Sequence, residues 1–123
     1  MVLEELTGRI LKGAYRVHSA MGPGLLESVY EAALKQALRA DGLLVATQVE
    51  IPAVFEGIKL DVAFRADMIV ESLVIVELKA VEALAPVHSK QLTNYLRLAG
   101  LKVGLLLNFN TLSLKDQVVR IVV

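Results

Sequence analysis

Two short, almost wholly apolar runs, Leu73–Ala80 and Lys102–Phe109, flank a helical pattern. This arrangement limits the fold more than any other feature of the chain. Between the runs, "PVHSKQLTNYLRLAG" opens with Pro86, which suits a first helical position, and closes at Gly100, a helix stop. A strand, a crossover helix and a second strand make a parallel, right-handed unit. "KVGLLLNF" has no polar face at all, so it reads as an interior strand.

The remaining elements fit around that unit. Leu6, Ile10, Ala14 and Val17 recur at helical spacing, which predicts a helix over about 3–20. "MGPG" at 21–24 breaks it. A second helix follows over about 25–41, with Val29, Tyr30, Ala33, Leu34, Ala37 and Leu38 as its apolar stripe and Gly42 past its end. From residue 44 the pattern turns to strands. "LLVATQVEIPAVFEG" alternates loosely, "IKLDVAFRADMIV" is a long strand with an expected bend near Phe64, and "LVIVELKA" follows a short turn. Short connections predict an antiparallel meander. "LKDQVVRIVV" closes the chain as an edge strand. The order is α-α-β-β-β-α-β-β, a mixed sheet carrying helices, within one domain spanning 1–123.

Several polar residues violate this apolar pattern, and such violations often mark functional sites. Glu77 and Lys79 lie two apart in a strand and so share a face. If the "VESL" turn encloses an odd number of residues, Asp67 stands opposite Glu77. Two carboxylates that close repel unless a cation lies between them, and hard oxygen donors suit Mg²⁺ or Mn²⁺. Glu27 falls at the edge of the second helix's apolar stripe, which predicts that it looks inward. Gln91 lies one turn before Tyr95, on a face shared with Val87 and Leu98, so its amide is expected to face the core or a cleft. Each placement also has a purely structural reading: an exposed Glu77–Lys79 ion pair, a surface acid near a turn at Asp67, a helix-dipole partner at Glu27, and helix-to-sheet packing by Gln91 and Tyr95.

Thirteen basic and thirteen acidic residues give a formal net charge of zero, which argues against an overall polyanion-binding surface. Arg9, Lys12 and Arg16 form a stripe on the first helix, readable as an ordinary solvated face or as a phosphate-contacting rim. His18 reads as a helix-end histidine, while His88 lies close enough to Gln91 to approach a site. The apolar share of 55% exceeds the usual range of about 45–50%. A homodimer interface and a Leu/Ala/Val-rich core both account for it. The absence of cysteine excludes disulfides and thiolate metal sites. No apolar run approaches the ~20 residues of a membrane span, and no signal peptide is evident, so the expected setting is cytoplasmic and off the membrane.

Taken together, Asp67, "ELK" at 77–79 and "QLTNY" at 91–95 resemble the PD-(D/E)xK nuclease superfamily, the last being similar to the Gln-x-x-x-Tyr motif of its RecB-like branch. "GLLESVY" at 24–30 resembles the Gly-x-x-Glu-x-x-Tyr motif of the GxxExxY proteins, and the flanking segments are similar nearly end to end. Ala66 stands where the superfamily's name has proline.

The resemblance implies a restriction-endonuclease-like α-β-β-β-α-β core with an extra N-terminal helix and a C-terminal edge strand. It implies a Mg²⁺- or Mn²⁺-dependent phosphodiester hydrolase acting on nucleic acid, with DNA the expected substrate. Asp67, Glu77 and the carbonyl of Leu78 would hold the metal, with Glu27 as a further ligand or water-orienting acid. Lys79 would position the attacking water. Gln91 and Tyr95 would orient the site or touch the DNA backbone. The competing expectations are a non-catalytic nucleic-acid-binding or interaction module retaining the fold, and a self-associating protein whose acids serve only as ion pairs.

Overall fold

A computed structural model describes residues 1–123. Helix α1, Leu3–Met21, buries Leu6, Ile10, Ala14 and Val17, the i, i+4 stripe its sequence predicts. Helix α2, Glu27–Ala40, buries Tyr30, Leu34, Ala37 and Leu38 against it. The two helices approach closely at Gly13, where an added Cβ would lie 2.7 Å from Leu38 Cδ2.

Five strands form one sheet in the order β1-β2-β3-β4-β5. These are Val45–Phe55, Ile58–Val70, Val74–Lys79, Val103–Asn108 and Val118–Val122. The first three make the expected antiparallel meander, β4 runs parallel to β3, and β5 closes the edge antiparallel to β4. Strand β4 is buried throughout, as its uniform apolarity requires. Helix α3, Pro86–Ala99, connects β3 to β4.

The sheet has a core on each face. Met68, Val70, Val74, Val76 and Leu105 pack against α1 and α2. Ile75 and Leu106 pack against Leu92, Tyr95 and Leu96 of α3. Each fully buried aliphatic side chain here stabilises the fold by roughly 1.5–3 kcal/mol. Gly104 lets α3 settle on β4, because a Cβ there would come within 2.9 Å of Leu92 Cδ1.

Strand β2 switches faces at Asp67. Ala66 belongs to the α3-side core and Met68 to the α1/α2-side core, although residues two apart in a regular strand share a face. Opposite this point, Gln48 of β1 has φ +52°, so both strands kink together and their register is preserved on either side. Beyond the kink the β1–β2 pair leaves the sheet. Strand β3 pairs with β2 only over Met68–Val70, while β1 and β2 stay paired out to Phe55 and Ile58, at a two-residue Glu56–Gly57 turn. Residues Ile58–Arg65 are all exposed. The bend expected near Phe64 is instead resolved into two irregularities. One is the switch at Asp67, and the other a register shift between Pro52 and Val54 that leaves Leu60–Val62 without partners in β1.

Two boundaries differ from expectation. Helix α2 starts at Glu27, because Gly24 adopts φ +94° and Leu26 is extended. The closing segment is strand only from Val118; Leu114–Gln117 form a single 3₁₀ turn that buries Leu114 under the α1/α2 core.

Candidate active site

Val70 and Val74 pair across a three-residue turn, Glu71–Leu73, so the register carries Asp67 opposite Glu77. Regular pairing stops one step earlier, at Met68–Val76, and side chains take over the ladder. The Asp67 N–H donates to Glu77 Oε2 at 3.0 Å, and the Leu78 N–H donates to Asp67 Oδ2 at 2.9 Å. The strands diverge here, and two carboxyl groups fill the fork.

Crowding has an electrostatic consequence. Glu77 is 4% exposed, and burial, joined by a hydrogen bond to and the charge of Asp67, pushes its carboxyl up to about 9. The Asp67 N–H and the Lys79 ammonium pull the other way, more weakly. The Tyr95 phenol is likewise raised, first by burial and then by the charges of Glu77 and Asp67. Phe64 packs on Tyr95 with ring centroids 5.4 Å apart. Lys79 is half-buried and takes no part in the chain's two ion pairs, Arg9–Asp41 and Arg65–Glu50, so its ammonium is uncommitted.

The segment "GLLESVY" builds the opposite wall. Tyr30 Oη donates to the Gly22 carbonyl at 2.5 Å and accepts the Leu25 N–H at 3.1 Å, while its ring stacks on Phe109 at 4.6 Å. Gly24 takes the left-handed conformation that L side chains avoid. Together they fold the loop so that α2 begins at Glu27, whose Oε2 accepts the Ala80 N–H at 3.3 Å. Glu27, Ser28, Glu31, Gln48, Asp67 and Leu78 enclose a recess of about 140 Å³, with Gln48 Nε2 donating to Glu31 at 2.7 Å.

Asn108 was not among the residues expected to matter. It is wholly buried at the end of β4. Its amide accepts the Val81 N–H at 3.1 Å and donates to the Val81 carbonyl at 3.0 Å and to Gln117 at 3.0 Å. The Phe109 N–H donates to the Lys79 carbonyl at 2.8 Å. The end of β4 therefore fixes the chain as it leaves Lys79. The available signal was a lone amide closing an apolar run, since a buried amide needs partners.

The structure brings Asp67 and Glu77 into contact, with Lys79 two residues further along β3 and Tyr95 packed on the α3 side of the sheet. Gln91 does not point inward. It is exposed, because the packed stripe of α3 is Leu92, Tyr95, Leu96 and Ala99, whereas Val87, Gln91 and Leu98 lie on the other side of Tyr95 around the helix. Glu27 is exposed too, and not inward-looking as expected; it accepts the Ala80 N–H and faces Asp67 across the recess. His88 Nδ1 accepts the Ala85 N–H at 3.0 Å and so caps its own helix. His18 Nε2 donates to the Thr111 carbonyl at 2.7 Å, the structural reading of a helix-end histidine. Arg9 is tied to Asp41 by its Nε at 3.1 Å and to the Asp41 carbonyl at 2.6 Å.

The donors at the fork are hard oxygens, and two carboxyls crowded until one holds its proton are a pair whose repulsion a divalent cation relieves. Asp67 and Glu77 thus fit a metal. No group of three His, Cys, Asp or Glu side chains is arranged to hold an ion; Glu27 accepts the Ala80 N–H across the recess. No helix is long and apolar enough to cross a membrane.

A family model for the PD-(D/E)XK nuclease superfamily matches residues 4–121. No curated protein and no solved structure matches the chain.

Proposed function

Because the chain belongs to the PD-(D/E)XK nuclease superfamily, we propose that it is a cytoplasmic, divalent-metal-dependent nuclease that hydrolyses phosphodiester bonds in DNA at the fork between β2 and β3. The observation that carries this reading is the contact of Asp67 with Glu77 beside an uncommitted Lys79. Membership supports nuclease-type phosphodiester hydrolysis in general. The narrower assignment, to GxxExxY proteins with RecB-like features, draws on "GLLESVY" and "QLTNY".

In this mechanism Asp67, Glu77 and the Leu78 carbonyl would hold Mg²⁺ or Mn²⁺. Bound there, the cation supplies Lewis-acid polarisation of a phosphoryl oxygen and a more acidic water. Lys79 offers a compact ammonium on the same strand face, which holds the nucleophilic water and balances charge developing on the phosphate. Glu27, across the recess, orients water from the α2 side. Tyr95, buried on the α3 side of the sheet, helps to orient the site. Gln91, exposed one turn earlier on α3, is free to meet the nucleic-acid backbone.

The test is cleavage of single- and double-stranded DNA in Mn²⁺ by the wild type and by Glu77→Ala and Lys79→Ala, with folding followed by circular dichroism. Loss of cleavage in both folded variants is expected; retained cleavage in both excludes this site. A second reading, a binding module without turnover, draws on the absence of a third acid gathered with Asp67 and Glu77. It requires DNA binding that is indifferent to metal, with no cleavage under any condition.

A further inference from the structure

The β1–β2 arm is poorly covered for what it carries. Val54, Phe55, Ile58, Leu60, Val62 and Phe64 are 39–66% exposed on one projecting ribbon. Single exposed apolar residues are ordinary, but Phe55, Ile58, Leu60, Val62 and Phe64 share one face of the ribbon, which makes them a patch, and patches mark interaction sites. A two-stranded ribbon is only marginally stable in water by itself. The arm also costs surface. The chain exposes 6989 Å², whereas a compact monomer of 13.4 kDa exposes about 6500 Å².

The charge on the arm bears on the partner. Glu50, Glu56 and Asp61 stand against Lys59 and Arg65, and Arg65 is already paired with Glu50 at 3.8 Å. No positive field is available there for a phosphate backbone. The sequence is instead self-complementary. With two arms antiparallel about a two-fold axis through Leu60, Leu60 meets its own copy, Ile58 meets Val62, and Lys59 meets Asp61. Such an interface is isologous and closes on itself. Leu60–Val62 are also the residues without partners in β1, on a strand whose other side β3 leaves open beyond Met68.

We infer that the arm is the interface of a symmetric homodimer, with β2 of one copy packed antiparallel on β2 of the other around Leu60. Paired edge to edge, the two strands set Ile58, Leu60 and Val62 beside their counterparts on one face and each Lys59 beside a partner Asp61 on the other. At about 3.3 Å per residue, Leu60 lies roughly 23 Å from Asp67 along the strand, so the two active-site forks stand about 45 Å apart.

Sedimentation velocity on the full chain at micromolar concentrations tests this. The wild type is expected to be a dimer. Ile58→Asp is expected to be a monomer with an unchanged circular dichroism spectrum. Lys59→Asp alone and Asp61→Lys alone each bring like charges together and weaken the dimer by about tenfold or more. The double exchange, Lys59→Asp with Asp61→Lys, restores it. A wild type that stays monomeric overturns the inference, as does a dimer indifferent to Ile58→Asp or a double exchange no better than either single variant. A monomer that binds a duplex oligonucleotide, and loses that binding in Ile58→Asp, overturns it in favour of a nucleic-acid contact.

Discussion

The Asp67 N–H donates to Glu77 Oε2 at 3.0 Å, so the acid opposite Asp67 is fixed by Asp67's own backbone. The return bond runs from Leu78 N–H to Asp67 Oδ2 at 2.9 Å. Each acid thus replaces a ladder bond that the diverging strands can no longer make. The same two side chains serve the fold and form the centre of the proposed chemistry.

Metal-free stability should therefore fall as pH rises. Glu77 is raised in the folded chain to about 9 from an ordinary value of 4.5. Between those limits the folded state holds a proton that the unfolded state has lost, so unfolding is increasingly favoured toward alkaline pH. Urea denaturation in a chelator across this range should give a declining midpoint, and Glu77→Gln should flatten the decline. A midpoint that rises through the same range would contradict the arrangement.

Divalent cation should reverse that penalty. Saturating Mn²⁺ at about 100 times its dissociation constant stabilises a native site by ~2.7 kcal/mol. Thermal melts should show this stabilisation in the wild type and lose it in Asp67→Asn and Glu77→Gln. Lys79→Ala should keep it while cutting cleavage by about 100-fold or more, the scale of losing one transition-state charge partner. Lys79→Arg is expected to rescue poorly, since a planar fork does not replace a compact ammonium.

Asn108→Ala should destabilise the chain without touching either acid. It leaves the Val81 N–H without its partner and the Val81 carbonyl with only the longer bond from Asn110 Nδ2 at 3.4 Å. A buried polar group stripped of its hydrogen bond costs about 1–3 kcal/mol. Chemical denaturation measures the loss, and added Mn²⁺ should still stabilise the variant.

Tyr30→Phe should loosen the Glu27 wall. It removes the hydroxyl that joins Gly22 and Leu25 but keeps the ring on Phe109. The expected cost is about 1 kcal/mol. Gly24→Ala, forced into φ +94°, should cost at least as much. Hydrogen exchange of residues 22–27 should rise in both variants.

Gly104→Ala tests the opposite face. A Cβ within 2.9 Å of Leu92 Cδ1 and 3.0 Å of its Cγ cannot be accommodated by rotating one methyl group. Overpacking of this kind costs roughly 1–3 kcal/mol. Equilibrium unfolding should report the loss.

What could be read in the chain was what period and counting control. Leu6, Ile10, Ala14 and Val17 announce a helix because burial selects one face every 3.6 residues. The Asp67–Glu77 pairing followed from parity, since an odd turn between two strands brings both acids into one row. Gln91 was misplaced because two rows on α3 are apolar, and only contact with the sheet decides that Leu92 rather than Leu98 is packed. The arm was hidden because Ile58, Leu60, Val62 and Phe64 alternate just as a half-buried strand does. Alternation reports a face but not whether anything covers it. Asn108 was missed because its partners lie in a distant loop, beyond the reach of local pattern.

The paired kink at Gln48 and Asp67 makes the arm a detachable length. Residues beyond it can be removed or added in matched numbers from β1 and β2 without turning Asp67 away from Glu77. In the proposed dimer, trimming the hairpin would reset the span between two copies while leaving the Asp67–Glu77 pair at its root in register.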